Sequence, residues 1–106
     1  MNKDILIIEG NREIYVERKK LIEAFLKEIA QKSVIYNNSN DYLLYILPKY
    51  ADVLLNVEKI QSIQIFNDGL LRLFLIPESH CKFKKSIFIE DRNAAETLSI
   101  LEEIIN

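Results

Sequence analysis

Gln61-Ser62-Ile63-Gln64-Ile65-Phe66, then Asn67-Asp68-Gly69, then Leu70-Leu71-Arg72-Leu73-Phe74-Leu75-Ile76, reads as a β-hairpin. The first arm alternates apolar and polar residues, as a strand with one wet face does. Asn-Asp-Gly supplies the positive-φ residue that a three-residue turn needs. The second arm is apolar at nearly every position, which predicts a strand dry on both faces. Ile5-Leu6-Ile7-Ile8 and Tyr42-Leu43-Leu44-Tyr45-Ile46-Leu47 have the same character. A chain of 106 residues has little material to cover both faces of a sheet. The surplus apolar surface therefore points to a partner, a second copy or a ligand.

Working outward from this hairpin, the N-terminal segment admits two readings. As one helix over 11–32, it places Arg18 at the centre of an apolar face formed by Ile14, Leu21, Phe25 and Ile29, a poor site for a charge. The favoured reading is a hairpin, Asp4–Glu9 and Arg12–Glu17, across a Gly10-Asn11 turn. Ile14 and Val16 then face one way, and Glu13, Tyr15 and Glu17 the other. Arg18 to Gln31 is a helix with a stripe of Leu21, Ile22, Phe25, Leu26, Ile29 and Ala30. Ser33–Tyr36 and Tyr42–Leu47 read as a second hairpin across Asn37-Asn38-Ser39-Asn40. Pro48 opens a short helix running to about Lys59, with Tyr50, Val53, Leu54, Val57 and Ile60 on its apolar face. Ser86–Glu90 is a further strand. The last helix starts at Asn93, with Glu96 three residues on as a capping box, and buries Ala94, Leu98, Leu101 and Ile105.

The fold class expected is α+β. The sheet is largely antiparallel, of five to seven strands built from hairpins, with two or three helices packed on one face. Residues 1–106 form one domain. The composition is that of an ordinary globular chain, 49% hydrophobic and 28% charged. The net charge of −2 argues mildly against a dedicated nucleic-acid binder. The lone Cys81 makes no internal disulfide. Only four apolar residues follow Met1-Asn2-Lys3-Asp4, too few for a signal-peptide core. A cytoplasmic location is expected.

No motif fixes a chemistry, and neither a catalytic residue, a metal site nor a cofactor is expected. Tyr36, Tyr42, Tyr45 and Tyr50 gather near the second hairpin, where tyrosines make good interface material. Tyr42, Leu44, Tyr45, Arg72 and Phe74 are the candidate partner-binding residues. His80, Lys82, Phe83, Lys84 and Lys85 interleave basic groups with an aromatic, a pattern able to hold a phosphate backbone and stack a base. In another setting such lysines protect an edge strand. Ser79-His80-Cys81 juxtaposes reactive side chains, but sequence neighbours seldom face one another as nucleophile and base must. Glu9-Gly10 after the apolar Ile5–Ile8 resembles the first motif of Toprim-type nuclease and primase domains. That likeness covers a few residues. It implies a metal-dependent enzyme using Glu9, Glu13 and Asp68, and the later Asp-x-Asp such domains need is missing at Phe66-Asn67-Asp68-Gly69. The function expected is a small non-enzymatic protein–protein interaction module, a homodimer or an accessory subunit of adaptor, inhibitor or immunity type. Nucleic-acid binding through Lys82–Lys85 is the alternative, and a degenerate Toprim-like enzyme the second.

Overall fold

A computed structural model describes residues 4–35, 47–78, 85–89 and 91–106. The elements run β1 (Asp4–Glu9), β2 (Arg12–Glu17), α1 (Arg18–Ile35), α2 (Leu47–Asn56), β3 (Ile60–Ile65), β4 (Leu71–Leu75), β5 (Ser86–Ile89) and α3 (Asp91–Ile105). The architecture is α+β, with a five-stranded sheet in the order β2-β1-β3-β4-β5 and three helices.

The two hairpins flanking the helices form as read. Glu9 pairs with Arg12 across Gly10-Asn11, and Gly10 adopts φ 59°. At the second turn the Gly69 N–H donates to Phe66 O at 2.9 Å, with φ 83° at the glycine. The expected largely antiparallel sheet is corrected to a mixed one: β1 and β3 pair in parallel, Ile7 beside Ile63. The apolar β1 and the alternating β3 lie side by side at the sheet's middle, each with a strand on both edges. The chain reaches β3 only after α1 and α2, so β3 returns in the same direction as β1.

The second hairpin is also corrected. Ser33–Ile35 is helical, as the last turn of α1. No Gly or Pro stands between Gln31 and Tyr36 to stop the helix; the first cluster of terminators is Asn37-Asn38-Ser39-Asn40. Its other arm, Tyr42–Ile46, lies outside the described residues, and Leu47 already belongs to α2. The last helix begins at Asp91, two residues before the expected Asn93. The Glu96 carboxylate, in place of capping, receives lysines from two other helices.

One face of the sheet is dry. Ile5, Ile7, Val16, Ile63, Ile65, Leu71, Leu73 and Ile89 are buried there and merge with Leu21, Phe25, Ile29, Tyr50, Val53, Ile100 and Leu101 of the helices. The stripe on α1 is narrower than read, since Leu26 is 53% exposed. Phe25 meets Tyr50 edge-on, with ring centroids 5.5 Å apart. Arg18 resolves the difficulty of the long-helix reading. It is the first residue of α1, and its Nη1 donates to Val57 O and to Ile60 O, the latter at 2.7 Å. Arg12 donates to Ile105 O at 3.0 Å, a cation at the C-terminus of α3 where the helix dipole favours one.

A polar node joins the three helices. Glu96 of α3 accepts from Lys32 of α1 at 2.8 Å and from Lys49 of α2 at 3.4 Å, and the fully buried Tyr50 donates its O–H to it at 3.4 Å. The Lys32 hydrogen bond, aided by the charges of Lys32 and Lys49, lowers the Glu96 pKa against the opposing effect of burial. Burial, then the negative charges of Glu96 and Glu28, raise the Tyr50 pKa. The signs define a pH profile. A depressed carboxyl stabilises the fold above its ordinary value of 4.5 and loses that contribution as pH falls through the native value. A raised phenol resists ionisation in the native state only, so stability falls as pH rises past the ordinary 10.0. Denaturant titrations across pH are expected to show Glu96→Gln less stable than the parent chain at pH 7, with the gap closing in acid.

Candidate functional site

Strand alternation sends every second residue to the face away from the helices. The pairing registers align these residues in two rows across all five strands. One row is Tyr15–Leu6–Ser62–Phe74–Ser86 and the other Glu13–Ile8–Gln64–Arg72–Phe88. Leu6, Ile8, Arg72 and Phe74 are part-buried, whereas Tyr15 is 67% and Phe88 50% exposed. Apolar groups from four strands therefore share a face on which no described helix packs. These groups make the open face the candidate site.

Arg72 organises one end of this face. Its guanidinium carbon sits 4.8 Å from the ring centroids of both Phe74 and Phe88, within cation–π range. Its Nη2 donates to Ser86 Oγ at 2.9 Å, while its Nε is buried with no hydrogen-bond partner. Among the described residues no carboxylate lies within salt-bridge distance of Arg72. The other end of the face is acidic: Asp4 and Glu17 are paired across β1 and β2, and Glu13 lies on the same side.

Of the candidate partner-binding residues, Arg72 and Phe74 lie together on this face, and Tyr42, Leu44 and Tyr45 lie outside the described residues. Of the basic candidates, His80, Lys82, Phe83 and Lys84 also lie outside them. Lys85 is exposed and pairs with Glu78 at 3.4 Å. Ser79-His80-Cys81 falls in the same undescribed stretch. The three carboxylates suggested by the Toprim resemblance are not brought together. Glu9 follows the register of Ile5 and Ile7 toward the helical side, Glu13 points to the opposite side, and Asp68 Oδ1 accepts from Leu70 N at 3.1 Å within its own turn. Among the described residues no three His, Cys, Asp or Glu side chains are grouped to hold a metal.

Sequence reading missed Phe88 and the part played by Leu6 and Ile8. The alternation Ser86-Ile87-Phe88-Ile89 carried the signal for Phe88. Leu6 and Ile8 were hidden because an unbroken apolar run does not reveal which residues face which side. Among the described residues no helix is long and apolar enough to cross a membrane. Comparison with known proteins finds no matching family model, no matching curated protein and no matching solved structure.

Proposed function

We propose that the chain is a small non-enzymatic interaction module that binds another protein through the open face of its sheet. The observation that supports this most directly is that Phe74 and Phe88 clasp Arg72 on a face that also carries Leu6, Ile8 and Tyr15 beyond the polar Ser62 and Gln64. Aromatic residues and arginine are the groups that most often anchor protein interfaces. The rings of Phe74 and Phe88 also hold the guanidinium in place, which lowers the ordering cost of binding. A homodimer or an accessory subunit of a complex both fit this reading.

Nucleic acid competes for the same face in principle, since aromatic rings and arginine stack bases. The sign of the charge favours protein: Asp4, Glu13 and Glu17 oppose a phosphate backbone on the side of β2.

The test is affinity capture with the parent chain and with a Phe74→Ser/Phe88→Ser variant as baits. Both rings lie on the open face, so the variant retains the core on the opposite side. We expect a defined protein, or a second copy fixed by chemical crosslinking at high concentration, to be held by the parent chain and lost by the variant. Identical capture by both baits refutes the assignment of the face. Binding of a single-stranded oligonucleotide that weakens steeply with salt favours the nucleic-acid reading instead.

A further inference from the structure

Resting on that reading, we infer that the occupant of the open face is a second copy of this chain, related by a two-fold axis running along β3 between the two sheets. The residue pattern selects both the partner and the axis. β3 is the middle strand, with two strands on either side. Rotation about an axis along β3 lays each row of the face on its own reverse. The β2 end of one copy then covers the β5 end of the other, and β1 covers β4.

In the upper row this brings Glu13 of one copy over Phe88 of the other, one strand spacing of about 4.8 Å from Arg72. The carboxylate reaches the one guanidinium on the face that has no carboxylate partner among the described residues. In the lower row Leu6 covers Phe74. The polar centre, Ser62 and Gln64, meets its own copy on the axis, where both side chains can donate and accept. The other two-fold that keeps the strands of the two sheets aligned, perpendicular to them, stacks β2 on β2 and sets the acidic ends against each other. Like charges placed opposite are costly, so the charge pattern chooses the first axis. Aligned packing of two sheets about 10 Å apart is a standard sandwich geometry.

The size of the face sets the expected affinity. Four strand spacings by five residues give about 19 by 17 Å, or about 300 Å² in projection on each copy. So small a footprint belongs at the low end of interface sizes, where weak and transient contacts lie. The dimer is therefore transient, with dissociation in the micromolar range or weaker.

Isologous contact means that each dimer contains the Glu13–Arg72 pair twice, and this provides the test. Sedimentation equilibrium from about 1 μM to 1 mM is measured for the parent chain, for Glu13→Arg, for Arg72→Glu and for an equal mixture of the two variants, with circular dichroism confirming that each is folded. Each variant alone sets like charges together and is expected to lose association at least tenfold. The mixture restores opposite charges at both positions and is expected to recover it. Recovery on mixing supports the inference, because a defect in folding of either variant does not produce it. A parent dimer unaffected by both substitutions, or variants weakened without recovery on mixing, overturns the arrangement. A parent chain that stays monomeric up to 1 mM overturns self-pairing. If that monomer still captures a different protein in a Phe88-dependent manner, the reading of the face stands and only the second copy fails.

Discussion

Replacing Tyr50 with alanine is expected to destabilise the fold by about 3–5 kcal/mol, the range for removing a large aromatic ring from a packed core. Against a typical total of about 5–15 kcal/mol, the loss leaves a marginal protein. Tyr50 has no exposed surface, and its ring meets Phe25 edge-on at 5.5 Å. Its hydroxyl end is tied to Glu96 of α3, so one side chain of α2 bridges both other helices. Tyr50→Phe separates the two contributions. It keeps the ring and removes a long hydrogen bond of 3.4 Å, so it is expected to cost about 1 kcal/mol or less. It also abolishes the loss of stability that accompanies phenol ionisation above pH 10.0. Urea denaturation of both variants at pH 7 and pH 11 measures these effects. Equal losses for Tyr50→Phe and Tyr50→Ala would place the stabilisation in the hydroxyl and contradict the packing account.

The second large effect is expected at Arg18. Substitution by methionine keeps much of the aliphatic stem and deletes the donor shared by Val57 O and Ile60 O. Hydrogen bonds from a charged donor contribute about 1.5–3 kcal/mol each, less where water reaches the freed carbonyls. These bonds are part-buried, so a net loss of about 2–3 kcal/mol is expected. The location of the effect matters as much as its size. Arg18 fastens the start of α1 to the turn between α2 and β3. Hydrogen exchange is expected to accelerate at residues 57–60 before it does in β1 or β4. Uniform acceleration through the sheet would mean that Arg18 supports the fold globally and not this junction.

Arg18 also illustrates what was legible in the sequence. Its charge on an apolar helical face argued against a helix through residues 11–17, and the hairpin it favoured is present. The turn chemistry of Gly10-Asn11 and Asn67-Asp68-Gly69 and the apolar stripe of α3 were equally readable because they depend on local geometry, whereas the stripe read for α2 ran too far, since the helix ends at Asn56 and Ile60 opens β3. The parallel pairing of β1 with β3 was not readable. It depends on where two helices deliver the chain, which no local pattern encodes. Over Ser33–Ile35 the strand reading failed because α1 meets no breaker there, while apolar residues such as Val34 and Ile35 suit either class. At the candidate site, Arg72 and Phe74 were already among the residues read as partner-binding, Arg72 being the one charge in an apolar strand. Their meeting with Phe88 required the register of β4 against β5.

The parallel seam also governs the order in which the molecule can be assembled. Ile7 and Ile63, side by side in the finished sheet, are 56 positions apart along the chain. The N-terminal hairpin closes locally, but its inner edge has no neighbour until β3 has been synthesised. The whole stretch from β2 through α2 must therefore leave the ribosome while β1 presents an unsatisfied apolar edge, the kind of surface that recruits stray strands. Until β3 arrives, α1 and then α2 are the described helices synthesised in time to shield β1. A contact made across so long a connection costs loop-closure entropy before it is rewarded, so this seam is expected to slow folding.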